Sequence, residues 1–226
     1  MKPSVVVLDF GVGNVRSVCR AVARVGADVT LTADPDAVAH ADGLVVPGVG
    51  AFGAVMEQLN AVNGPELIRQ RIDRGRGVLG ICVGLQVMFE ASLEKGVHHG
   101  LGMWSGRVER LNAPVVPHVG WSPIQTAPGS TLFTGVEEQR FYFVHSFAAK
   151  TAPSISDAHM SEGKTPGVCD FRCVATSWAT HEERFVAAVE DGALNAVQFH
   201  PEKSGDAGAV VLKNWLNALD SLATRV

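Results

Sequence analysis

The chain has 226 residues, of which 46% are hydrophobic and 19% charged, with a formal net charge of −4 at pH 7. These values suit a folded domain with a sizeable core and exclude the basic footprint of a nucleic-acid binder or of a protein held on an anionic membrane. The opening apolar run stops at Asp9, too short for a signal peptide, and no stretch approaches membrane-spanning length, so the expected compartment is the cytoplasm.

In chain order, residues 4–10 (SVVVLDF) are a β-branched run that predicts a strand buried on both faces. Val15, Val18, Val22 and Val25 then recur at three- and four-residue spacing and mark a helix. Residues 27–32 (ADVTLT) and 43–48 (GLVVPG) predict the next two strands. A helix over 65–75 closes at Gly75, a strand follows at 77–81 (GVLGI), and 85–95 (LQVMFEASLEK) predicts another helix. Repeated β-α units imply a mainly parallel sheet with helices on both faces.

From about Gly100 the pattern changes. Residues 100–111, 140–147, 173–178, 184–190 and 193–200 are strand-like pieces separated by Pro, Gly and polar turns. They predict antiparallel strands added to the same sheet. Residues 151–167 are polar and rich in Ser, Gly and Pro, as in a surface loop or insertion. The end reads as an amphipathic helix with an apolar stripe through Leu212, Trp215, Leu216, Leu219 and Leu222. The expected architecture is one α/β domain over 1–226, a mainly parallel central sheet flanked by helices with added antiparallel strands.

The four cysteines, Cys19, Cys82, Cys169 and Cys173, form no dense disulfide framework. Cys169, Cys173 and His181 resemble a fragment of a metal site, but three ligand types without a second paired cluster are read as ordinary thiols and a surface imidazole. No metal or cofactor is expected.

Cys82 stands apart. A strand ending at Ile81, then Gly-x-Cys-x-Gly, then a helix is the cysteine counterpart of a nucleophile elbow. Side chains at Gly80 and Gly84 would crowd such a turn, a helix N-terminus beneath the thiol favours thiolate, and the N–H of Val83 is offered to a developing oxyanion. A core cysteine beside a sharp turn fits the local pattern equally well.

A nucleophilic thiol needs a base, and the base needs orienting. In 197–205 (VQFHPEKSG), Pro201 holds His200 extended, so His200 and Glu202 face the same side. The strand before them delivers the pair to the C-terminal edge of the sheet, where Cys82 also lies. His40, His98, His99, His159 and His181 have polar neighbours and read as surface. In 45–53 (VVPGVGAFG), a glycine-bracketed loop leaves N–H groups free to face an anion, although an ordinary βα turn has the same composition. The similar DFGVGN has Arg16 where a dinucleotide fingerprint needs its third glycine, which disfavours that site.

Together, GICVGLQ at 80–86 and FHPE at 199–202 resemble the class I (triad) glutamine amidotransferases. More narrowly, DFGVGNVRS, PGVGAFG, GICVGLQVMFE, PHVGW, FYFVHSF and QFHPEKSG, in this order, resemble the glutaminase subunits of imidazole glycerol phosphate synthases. Leu85 and the Lys-Ser-Gly after the triad segment fit that subgroup. The resemblance implies hydrolysis of L-glutamine to glutamate and ammonia through a thioester on Cys82, with His200 as base and Glu202 orienting it. It implies an oxyanion hole from Val83 and Val49, and glutamine recognition by Gly50, Gln86, Glu94, His145, Ser146 and Phe147. For Glu94, a solvated charge late in a helix competes with that role.

The resemblance also implies a partner cyclase, a (β/α)8 barrel that receives the ammonia and converts PRFAR to imidazole glycerol phosphate and AICAR in histidine biosynthesis. Residues at the partner interface or coupling the two subunits would be Asn14, His118, Trp121, Tyr142 and Lys203, with ordinary packing or surface charge as the competing account of each. Ser122, Phe10 and Ala196 depart from common family residues, and none of them removes a catalytic group.

Overall fold

Buried β-branched runs recur in the first half of the chain, and each becomes a strand of one sheet. The computed structural model describes residues 2–11, 13–154 and 174–223, with side chains followed to Leu219. The elements are β1 (Ser4–Leu8), α1 (Val15–Arg24), β2 (Asp28–Thr32), α2 (Pro35–His40), β3 (Gly43–Gly48), α3 (Phe52–Ala61), α4 (Gly64–Asp73) and β4 (Gly77–Cys82). Then follow α5 (Val83–Gln86), β5 (Phe89–Ser92), β6 (His98–His99), β7 (Trp104–Arg110), β8 (His118–Pro123), β9 (Arg140–His145) and β10 (Phe147–Ala149). The last are β11 (Ala175–His181), β12 (Glu183–Asp191), β13 (Leu194–Val197) and α6 (Gly205–Ala223).

The central sheet runs β11-β12-β13-β4-β3-β1-β2. Its five strands from β2 to β13 are parallel, and β12 and β11 extend it antiparallel. Helices cover both faces, so β1, β3 and β4 are buried almost without interruption, which is why they read as unbroken apolar runs. The outer strand β2 is largely exposed. Val18 and Val22 of α1 are buried, as their spacing predicts. In α6, Leu212, Trp215, Leu216 and Leu219 are buried. Gly43 makes room for this helix, since a Cβ there would lie 2.7 Å from the Trp215 ring.

Two expectations fail. The helix expected over 85–95 is a single turn, α5, and Phe89–Ser92 is a strand instead. The N–H groups of Gly100, Leu101 and Met103 capture the carbonyls of Glu90, Val87 and Met88. Those carbonyls are the acceptors that a continuing helix would need. Nor do the later strands all join one sheet: β10-β7-β5-β6 form a separate four-stranded sheet and β8-β9 a ribbon. Only the strands over 175–197 extend the central sheet.

The insertion expected at 151–167 lies, from residue 155 on, outside the described residues, as do His159, Cys169 and Cys173; the side chain of Leu222 does too. Among the described residues, no three His, Cys, Asp or Glu side chains are grouped to hold a metal ion. No described helix is long and apolar enough to cross a membrane.

Candidate active site

Cys82 ends β4 at φ 57 and ψ −110, a conformation that costs an L-residue roughly 1–3 kcal/mol. The strand must turn into α5 within one residue, and neighbouring backbone packs tightly around the corner. A Cβ at Gly80 would lie 2.5 Å from the carbonyl oxygen of Gly84. One at Gly84 would lie 2.0 Å from the carbonyl oxygen of Val46, and one at Gly48 would lie 2.6 Å from the Gly84 nitrogen. The glycines are required by this close approach of β3, β4 and the elbow. Because α5 has only four residues, the helix-dipole support expected for the thiol is that of one turn.

β13 lies beside β4, with Val197 opposite Ile81, and carries the chain to His200 at the same edge. His200 is extended, at φ −103 and ψ 96, and Pro201 opens a 3-10 turn over Pro201–Lys203. This geometry brings the Nδ1 of His200 to 2.9 Å from the Oε1 of Glu202, with both side chains buried. Burial alone would lower the His200 pKa, but attraction to Cys82 and to Glu202 outweighs it and raises the group to about 9. Its Nε2 is buried and has no hydrogen-bond partner among the described residues, so this nitrogen is free for proton exchange.

The surrounding backbone fixes the base. The His200 N–H donates to the Tyr142 carbonyl at 2.9 Å. The Ser204 hydroxyl donates to the His200 carbonyl at 2.7 Å and accepts from the Tyr142 N–H at 2.9 Å. On the other side, the Asn14 amide donates to Glu202 Oε1 at 3.4 Å, and Ser17 donates to the Asn14 oxygen at 2.7 Å. Asn14, expected at a partner interface, therefore also touches the triad acid.

A cavity of about 510 Å³ opens over the elbow. It brings together Cys82, His200, Val83, Val49, Gly50, Gln86, Glu94, His145, Ser146, Phe147, Asn14 and Lys203. Glu202 stands behind His200 and does not line it, while Trp121, Tyr142 and His118 lie outside it. Gly50 has φ 103, where a larger residue would be strained. Glu94 lies beyond β5, not late in a helix, and one of its oxygens accepts from the Phe52 N–H at 2.7 Å, capping the start of α3.

The His145 ring faces inward. Its Nδ1 donates to the Phe147 carbonyl at 3.0 Å, and its pKa falls to about 3, chiefly through burial and then through His118 nearby. It packs edge-on to Phe185, and His118 is stacked between His181, at 4.4 Å, and Phe143. His181 is thus packed against another ring, not free on the surface. His118 departs from the interface expectation because strand alternation turns it into the core, where burial and His181 lower its pKa to about 4. On the opposite face of β8, Val119 and Trp121 are 57% and 49% exposed. Trp121 meets Tyr142 across the β8-β9 ribbon, and the Lys203 ammonium lies 5.8 Å above the Tyr142 ring.

Sequence reasoning missed Gln198. It is fully buried, and its Nε2 lies 3.7 Å from the sulfur of Cys82. Its position two residues before His200 is the signal that points to it.

The family described as glutamine amidotransferase class-I matches residues 6–219. Among curated proteins, the imidazole glycerol phosphate synthase subunit HisH of Mycobacterium bovis is 53% identical over 218 residues, covering 96% of this chain and 98% of that protein. The subunit of the same name from Nocardia farcinica is 51% identical over 220 residues, covering 96% and 99%. Among solved structures, a putative GMP synthase subunit from Thermoplasma acidophilum superposes with a TM-score of 0.67 at 19% identity, covering 100% of this chain and 98% of that one. PurLQS from Thermotoga maritima gives 0.66 at 19% identity, with 97% and 100% covered. These two structural likenesses speak to the fold alone.

Proposed function

The chain belongs to the class-I glutamine amidotransferase family, and on that premise we propose that it is the glutamine-hydrolysing subunit of an imidazole glycerol phosphate synthase, with Cys82 as nucleophile. The observation that carries this reading is the strained Cys82 corner set beside the His200–Glu202 pair at one edge of one sheet.

In the proposed reaction His200 holds the proton given up by the thiol as an imidazolium, in keeping with its raised pKa, and the Cys82 sulfur adds as thiolate to the side-chain amide carbon of glutamine. The N–H of Val83, joined by that of Val49, receives the oxyanion. His200 returns the proton to the departing ammonia, leaving a glutamyl thioester. The same imidazole then takes a proton from water, which attacks the thioester and frees glutamate and the thiol. Glu202, accepting from Nδ1, keeps Nε2 as the atom that exchanges protons and stabilises the imidazolium.

Glutamine is held by Gly50, Gln86, Glu94 and the segment His145, Ser146 and Phe147. Glu94 suits the substrate ammonium. The His145 ring is neutral and its Nδ1 serves the Phe147 carbonyl, so it offers the substrate no charge.

The ammonia passes to a partner subunit, read as a (β/α)8 cyclase that forms imidazole glycerol phosphate and AICAR from PRFAR. The docking face is the outer side of the β8-β9 ribbon, with Trp121, Tyr142, Lys203 and Asn14 in its surroundings. Large rigid aromatics are common anchors in such contacts. Tyr142 connects this face to the base through its hydrogen bond with His200. The reading extends to one amidotransferase domain over 1–226 and action in the cytoplasm.

Glutamate release by the purified chain, alone and with the cyclase and its nucleotide ligand, tests the proposal. Weak basal hydrolysis that rises strongly with both additions is expected, and full activity of the chain alone would instead mark a stand-alone amide hydrolase. Lys203→Ala should lower the stimulation more than it lowers labelling of Cys82 by a glutamine-like electrophile.

A further inference from the structure

Beneath the elbow, three amide groups form a chain that ends on the nucleophile. The Gln86 Nε2 donates to the Phe147 carbonyl at 2.8 Å and to the Gln198 Oε1 at 3.0 Å. Two acceptors face that one nitrogen, so its two hydrogens are both used and the amide cannot be turned over without setting oxygen against oxygen. Gln198 is fixed in turn, because its Oε1 takes the Gln86 hydrogen and its Nε2 is left facing Cys82 Sγ at 3.7 Å. Gln198 is 0% exposed, and its backbone N–H is held by the Ala187 carbonyl at 2.8 Å.

We infer that Gln198 is a further catalytic residue, which donates an N–H to the Cys82 sulfur and stabilises its thiolate, with Gln86 as the positioning residue that sets the direction of that donor. The inference rests on the reading of Cys82 as the nucleophile.

The physical need is clear from the surroundings. Cys82 is 4% exposed, so little water reaches a sulfur that must carry negative charge before it attacks. His200 supplies a positive partner on one side only. A buried amide donor on the other side favours the charged sulfur over the thiol, because hydrogen bonds to ionised groups are about twice as strong as neutral ones. The donor keeps its orientation without substrate and leaves the cavity side of the sulfur open. Since Gln86 also contacts the Phe147 carbonyl, the direction of this donor depends on the same segment that is read as holding glutamine.

The test is alkylation of Cys82 by iodoacetamide, followed across pH by the mass of the Cys82 peptide. The thiolate displaces iodide, forming an S–C bond as the C–I bond breaks, and no glutamine is involved. Gln198→Met keeps an unbranched side chain of similar size and removes the donor. With the melting temperature near that of the parent, the inflection of the profile should rise by about one pH unit, so that the rate on its acid limb falls about tenfold, the effect of one hydrogen bond to a charged group.

An unmoved profile in folded Gln198→Met overturns the inference. If that variant does not fold, Gln86→Met is read the same way: an upward move supports the inference and an unmoved profile overturns it. Survival of glutamate release in Cys82→Ala would instead sink the nucleophile reading, an outcome that labelling does not share.

Discussion

Two buried histidine sites in this protein are driven to opposite charge states. His200, set against Glu202 and Cys82, is raised to about 9, whereas His118 and His145 are lowered to about 4 and about 3 among Phe143, Phe185 and His181. Burial lowers the pKa in all three cases, so burial does not explain the difference. What decides is the partner that the fold delivers, a carboxylate and a thiol in one site and other imidazoles and aromatic rings in the other. The first site is equipped to move protons near neutral pH, and the second is a packing cluster that stays neutral.

The strongest way to break this contrast is to remove the group that His200 serves. Cys82→Ala should lower glutamate release about a thousandfold or more in the partner-activated assay, as loss of a covalent nucleophile does. Undiminished turnover would leave the charged histidine without a catalytic meaning. Next, Glu202→Gln removes the charge that orients and raises His200. Turnover should drop by on the order of a hundredfold or more, and the basic limb of the pH–rate profile should move to lower pH. A variant with the parent profile would show that Glu202 is not what distinguishes His200 from His145.

Gly84→Ala tests the corner that sets the sulfur beside the base. The added methyl would meet the Val46 carbonyl at 2.0 Å, so stability should fall by about 2–3 kcal/mol, seen as a lower urea midpoint. An unchanged midpoint would mean that the corner relaxes freely.

The smallest expected effect is a pH dependence of stability with two limbs. For His200 the folded value lies above the unfolded 6.5, so its contribution is complete below about pH 6.5 and is lost as pH rises towards 9. For His118 and His145 the folded values lie below 6.5, so the unfolded chain binds more protons and stability declines as pH drops from 6.5 towards 4 and 3. His118→Phe should therefore melt a few degrees less far below its neutral-pH value at pH 5 than the parent does, by calorimetry or circular dichroism. Parallel acid limbs in the two proteins would remove His118 from that account.

Much of this site could be read along the chain because its parts are local. The elbow glycines sit within two residues of Cys82, and the 3-10 turn that Pro201 opens after an extended His200 places the acid on its base, as the 2.9 Å contact shows. The parallel strands were equally plain, since burial on both faces writes an unbroken apolar run. The segment after the elbow was not, because Leu-Gln-Val-Met-Phe-Glu suits a helix as well as a strand. The distant loop at 100–103 takes the carbonyls at 87, 88 and 90 and settles it as a strand. His118 was misplaced for a similar reason: which face of β8 points inward depends on the cluster that waits beneath it.

The sequence by itself determined the family, the nucleophile's corner and the pairing of His200 with Glu202, all consequences of short-range backbone geometry. Tertiary structure alone decided which carbonyls the 87–90 segment would lose, which histidines would be neutral, and that the Gln198 amide would face the Cys82 sulfur. Those outcomes depend on groups as far as 116 residues apart in the chain meeting in a space from which water is largely excluded. No local pattern records such a meeting.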